Sequence, residues 1–207
     1  MGIIITILSV IIMIVLGMVV LMRDLRAAYA RLFAALCMAA VVWVVTNQVA
    51  NSTDYSLSVI NLANKTAFAA GYSVILLGVL FSYFFPVRRQ VSVGERAIVL
   101  ITALLAMTAS VLDPVVGIAV RKNGVVQFTS GEWIGVFVLL FLLTLGMLVR
   151  NLIFLPKQHS RIEQIQAKLF MAAFVISAVI GLMLNAILPA LSLNFGLTIY
   201  GPLATVV

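Results

Sequence analysis

The chain has 207 residues, of which 64% are hydrophobic and 9% charged, with a net charge of +7. A soluble domain carries about 25% charged residues, so this composition excludes a water-soluble globule and points to an integral membrane protein. The basic excess lies in short segments beside apolar runs, which is the signature of membrane topology and lipid headgroups rather than of nucleic-acid binding.

Of 13 Lys and Arg residues, 10 fall in three short segments, Arg23 to Arg31, Arg88 to Arg96 and Arg150 to Lys168. Lys65, Arg121 and Lys122 occupy the alternate gaps. A hydrocarbon core of about 30 Å needs about 20 helical residues, and the apolar runs predict spans at 3–22, 32–50, 66–85, 96–116, 132–155 and 168–188, with a partial or short seventh at 196–207. The first run lacks a basic n-region and is followed by arginines, so it reads as a span with its N-terminus outside, not as a cleaved signal peptide. Polar residues 51–65 read as an outer loop. Between the fourth and fifth spans, Asn123-Gly124 stands between short β-prone runs, and Asn-Gly supplies the positive φ angles of a type I′ turn, so a small extracellular hairpin is expected over 117–131. Pro86, Pro156 and Pro189 close the third, fifth and sixth spans. The segment 157–167 is amphipathic, with Ile162 and Ile165 among polar residues, and either extends the fifth span or begins the sixth. The fold class expected is an all-α polytopic bundle in the inner (plasma) membrane, with the basic segments in the cytoplasm. Phe84-Phe85-Pro86 and Phe154-Leu155-Pro156, each before a basic loop, leave a parallel internal repeat open.

A charged residue at the centre of a span costs about 2.5–3.5 kcal/mol on insertion scales, and none is expected there. Cys37 is the single cysteine and His159 the single histidine, so neither a disulfide nor a Cys or His metal cluster is expected, and no cofactor. His159 lacks the acidic neighbour of a phosphoacceptor box. The polar groups within spans share one depth. Trp43, Asn47 and Asn51 recur at i, i+4, i+8 on one helix face; Tyr72, Asp113 and Asn185 lie near the same level, and Trp133 opens the fifth span there. Trp43, Asn47, Tyr72, Asp113 and Asn185 are therefore the candidate ligand-binding residues of an outer pocket, each with a plainer role available in packing, hydrogen bonding or capping. Ser177 and Gly181 form a small-xxx-small pair, the pattern of close helix packing.

The segment Arg161-Ile-Glu-Gln-Ile-Gln166, the small-residue span with Gly181, Asn185-Ala-Ile-Leu-Pro189 and Tyr200-Gly-Pro-Leu203 resembles the N-terminal seven-helix sensory region of histidine kinases, which also precedes diguanylate cyclases. The second span with Trp43, the third ending Phe81-Ser-Tyr-Phe-Phe-Pro86 and the Asn-Gly hairpin resemble matching parts, so the likeness covers essentially the whole chain. It implies a sensory input domain relaying a signal through the seventh helix to a cytoplasmic kinase or cyclase. No phosphoacceptor box, ATP-binding or cyclase motif is present in the chain, so no enzymatic activity is expected of it. The partners implied are the bilayer, a small amphiphilic or peptide ligand, the output domain and a second copy in a homodimer. A small transporter or permease is the alternative.

Overall fold

The computed structural model describes residues 2–86, 88–122, 125–129, 131–153 and 160–187. Six of its helices are long and apolar enough to cross a membrane, and the protein is a multi-pass helical membrane protein. They are α1 (Gly2–Arg23), α2 (Ala28–Ala50), α3 (Leu57–Ser82), α4 (Val93–Val111), α6 (Ile134–Ile153) and α7 (Arg161–Leu182); α5 (Asp113–Val116) is a single turn. The expected seventh span at 196–207, with the Tyr200-Gly-Pro-Leu203 motif, and residues 154–159, with Pro156, Lys157 and His159, lie outside the described residues.

Helices adjacent in sequence run antiparallel, α1 on α2, α2 on α3 and α3 on α4, while α6 runs parallel to α3, with Asn151 beside Ser82 at the same end. The bundle therefore has two chemically distinct ends. At one, here the basic end, Asp24 Oδ1 accepts from the backbone N–H groups of Arg26 (3.0 Å) and Ala27 (3.1 Å) and turns α1 into α2. At the same end Glu95 Oε1 accepts from Arg89 Nη2 at 3.0 Å and also contacts Arg150 Nη2, while Arg89 Nη1 donates to Asn151 Oδ1 at 2.8 Å. Asn151 Nδ2 continues to Ser82 Oγ at 3.0 Å. This chain of polar groups ties the ends of α3, α4 and α6 together.

The opposite, hairpin end carries β1 (Ile118–Lys122) and β2 (Val125–Thr129), antiparallel with Ile118 opposite Thr129 and Lys122 opposite Val125. The strands stand where the sequence predicts them; the turn pair 123–124 lies outside the described residues. Ala119 and Val126 pack on Ile60 of α3 with Phe128 beside them. Ala119 N–H donates to Asn61 Oδ1 (2.7 Å), and Arg121 Nη2 donates to the carbonyls of Thr53 (2.8 Å) and Tyr55 (3.2 Å).

Among the boundaries that depart from the sequence expectation, three have a clear local reason. Residues 57–65 are helix, not loop: Ile60, Ala63, Asn64 and Ala67 are buried at helical spacing, and that contact with the hairpin and α2 outweighs the polarity of the stretch. The 26 residues of α3 extend about 39 Å at 1.5 Å per residue, longer than the hydrocarbon core, so its first turns serve as a post for the hairpin. The fourth span ends at Val111 instead of 116, with Leu112 extended at φ −89°, ψ 126° and a new turn begun at Asp113. Pro114 has no N–H for the carbonyl of Ser110, and its ring crowds that carbonyl, so an unbroken helix is excluded. The sixth span starts at Arg161 rather than 168, because Ser160 and Glu163 form a capping box: Ser160 Oγ accepts from Glu163 N–H (3.3 Å) and Glu163 Oε2 from Ser160 N–H (2.9 Å). At its far end α7 passes into a π-helical segment, Met183–Ile187.

Candidate functional site

Between α2, α3 and α7 lies a cavity of about 380 Å³, open to one side. Alpha2 contributes a stripe from Phe33 through Cys37 and Ala40 to Trp43, Asn47 and Asn51. These positions are three or four apart, so they share a face. Alpha3 contributes Ile75, Val74, Gly71, Ala67 and Asn64. Gly71 lies against Trp43, where a Cβ would stand in ordinary contact, 3.4 Å from the indole. Alpha7 contributes Phe170, Phe174, Ser177, Gly181 and Asn185.

The floor toward the basic end is aromatic. Phe81 lies 5.8 Å from Phe33 and 4.9 Å from Phe170, and Phe170 lies 5.6 Å from Phe174, centroid to centroid. This packing brings α7 against α3. Gly78 lets it happen, since a Cβ at 78 would fall 2.6 Å from Phe174 Cζ. The roof toward the hairpin end includes Val116 of α5 and Phe128 of β2.

Asn185 sits in the π-helical segment. Its Nδ2 donates to the Gly181 carbonyl at 2.9 Å, while its Oδ1 is buried with no hydrogen-bond partner among the described residues. A buried acceptor left unpaired costs about 1–3 kcal/mol, and π-segments within α-helices recur at functional sites. Among the described residues, every one lining the cavity is uncharged. Among the described residues no group of three His, Cys, Asp or Glu side chains is placed to hold a metal ion.

The candidate residues divide into two sets. Trp43, Asn47 and Asn185 line the cavity, and so do Ser177 and Gly181, singled out in the sequence for helix packing. Tyr72 and Asp113 do not. Tyr72 is fully buried toward α6, where its hydroxyl lies 2.7 Å from Thr144 Oγ1. Thr144 Oγ1 already donates to the Leu140 carbonyl at 2.8 Å, so Tyr72 is the donor of the pair. Asp113 Oδ1 pairs with Lys65 Nζ at 2.7 Å, with Asp113 about half exposed. Gln48 also turns away, its Oε1 accepting from Thr6 Oγ1 of α1 at 3.1 Å. Trp133 is 62% exposed at the start of α6, the placement of an interfacial tryptophan.

Sequence reasoning missed Asn64, Phe33, Phe170 and Phe174 as members of the site. For Asn64 the signal was there: Asn64, Ala67, Gly71, Val74 recur at steps of three and four, and assigning 57–65 to a loop hid it. The phenylalanines look like any apolar span residue until their partners are known.

No protein-family model matches the chain, and no curated protein matches its sequence.

Proposed function

We propose that the chain is the membrane-embedded input region of a signal-transducing receptor, with its N-terminus outside the plasma membrane and the basic end in the cytoplasm. The observation that carries this reading is the uncharged cavity between α2, α3 and α7, whose polar residues gather toward the hairpin end. The basic residues support the orientation, because the hairpin end carries only Lys65, Arg121 and Lys122. A ligand seated there touches three helices at once. It shifts their arrangement to the extent that it binds one arrangement better than another. Alpha7, the sixth span, lines the cavity from Asn185 at the hairpin end to Phe170 and Phe174 at the floor, so a shift there reaches the basic end, and the seventh span expected at 196–207 would relay it to an output domain such as a kinase or cyclase.

The alternative is a small permease. Ion-coupled transport usually places a charged group in the membrane, and the described residues of the cavity wall include no Asp, Glu, His, Lys or Arg.

The two readings separate in a chimera that joins residues 1–207 to the kinase core of a seven-helix sensor kinase. Receptor function predicts that alanine at Trp43, Asn47 or Asn185 changes kinase output several-fold at equal membrane abundance, while alanine at exposed Trp133 does not. Output indifferent to all four, together with saturable solute uptake by the isolated chain in proteoliposomes, would establish the permease instead.

A further inference from the structure

The cavity is graded, and the grade runs the same way on all three helices. Along α2 the lining passes from Phe33 and Cys37 to Trp43, Asn47 and Asn51; along α3 from Ile75 to Asn64; along α7 from Phe170 and Phe174 to Ser177 and Asn185. Three independent segments of sequence thus place apolar groups at the basic end and amides at the hairpin end of one space. From Phe33 to Asn51 the helical rise is about 27 Å at 1.5 Å per residue, so the space is long as well as narrow. Its volume of about 380 Å³ falls within the ordinary range for small-molecule sites, about 300–1,000 Å³.

Charge decides the class of occupant. Among the described residues, an anionic or cationic headgroup drawn into this space meets asparagine, serine and tryptophan and no opposite charge, and burying an unpaired charge is heavily disfavoured. The nearby ion pair offers no compensation, since Lys65 and Asp113 already satisfy each other at 2.7 Å. Hydrogen-bonding direction narrows the class further. Asn185 Nδ2 is committed to its own helix, and its buried Oδ1 lacks a donor. The group that completes it carries an O–H or N–H.

We infer that the cavity binds an uncharged single-chain amphiphile, with a hydroxyl- or amide-bearing head donating to Asn185 Oδ1 at the hairpin end and a hydrocarbon tail lying along Phe33, Phe170 and Phe174. This names the ligand class for the receptor reading and rests on it only for the consequence of binding; the occupancy itself is tested without any signalling readout. A phospholipid from the surrounding bilayer is the competing occupant, and its phosphate is the feature that the wall does not match.

The test uses the full chain carrying Trp133→Phe, in phosphatidylcholine nanodiscs, with Trp43 fluorescence as the reporter. Three probes with the same twelve-carbon tail are titrated as mole fractions of lipid: monolauroylglycerol, methyl laurate and dodecyl phosphate. Monolauroylglycerol is expected to give a saturable change. Methyl laurate, which has no donor, is expected to bind about ten-fold more weakly, the size of one hydrogen bond to a buried acceptor, and dodecyl phosphate at least as weakly. Asn185→Leu is expected to abolish the preference for monolauroylglycerol over methyl laurate. Dodecyl phosphate binding as well as monolauroylglycerol overturns the proposal. So does an equal, non-saturating response to all three probes, which would mean that bulk acyl chains fill the groove. The head-group series on the unsubstituted cavity decides the matter even where Asn185→Leu does not fold. If the probes bind as expected while the chimera's output ignores the cavity, the ligand class stands and the receptor reading falls.

Discussion

Single residues in this protein are placed by the partner each polar atom finds. Tyr72 and Asn185 sit at comparable depth in the sequence-based picture, yet Tyr72 completes its hydrogen bond inside the protein, with Thr144, while Asn185 Oδ1 has no partner. One is a packing residue and the other faces the cavity. A double-mutant cycle on Tyr72→Phe and Thr144→Val measures the first role. Buried interhelical hydrogen bonds in membranes average about 0.6 kcal/mol and reach about 1.7; a coupling in that range is expected from steric-trap unfolding in bicelles, with Trp43 emission unchanged. A coupling near zero would mean that each hydroxyl finds another partner in the single variants. Neither side chain was separable from the other by sequence, because a tyrosine two turns into a span shows its depth and not its direction.

At the scale of elements, the hairpin is the part with the most demanding backbone. Gly117 has φ +81°, and a Cβ there would stand 1.6 Å from the Thr129 carbonyl oxygen. The strand pair can begin only at a residue without a side chain. Gly117→Ala is therefore expected to unseat the hairpin from α3, exposing Ile60 and freeing the Ala119 N–H from Asn61. Amide hydrogen exchange at Ala119 should rise by about five- to 150-fold, corresponding to strain of about 1–3 kcal/mol, while exchange in α2 stays as it was. Unchanged protection at Ala119 would show that the contact with Asn61 and Ile60 survives another turn geometry. The hairpin strands were legible from Asn123-Gly124 and its β-prone flanks. The post that supports them was not, since Asn61, Asn64 and Lys65 make residues 57–65 read as solvent-exposed until Ile60, Ala63 and Ala67 are seen against their partners.

For the whole molecule, topology is the claim that charge supports most directly. Each described member of the three basic segments lies at the end opposite the hairpin, and Arg89 and Arg150 share Glu95 there. With Cys37 replaced by serine, a cysteine at Asp54 is expected to react with a membrane-impermeant maleimide in intact cells, and one at Arg88 only after lysis. The reverse pattern would invert the orientation and place the amide-lined end of the cavity in the cytoplasm.

The sequence by itself determined six apolar spans among the described residues, the sorting of charge between the two ends, the hairpin strands and the stripe of Trp43, Asn47 and Asn51. All of these are periodic or compositional, and each is written within one short segment. Only the tertiary structure decided which face of each helix looks into the cavity and which looks at a neighbour. That choice depends on pairs far apart in the chain: Gly78 receiving Phe174, and Thr144 drawing Tyr72 away. A helix in lipid is apolar on every side, so hydropathy cannot mark its buried face as it does in water. Side-chain fit and hydrogen bonding between helices make that selection, and both require the partner to be in place.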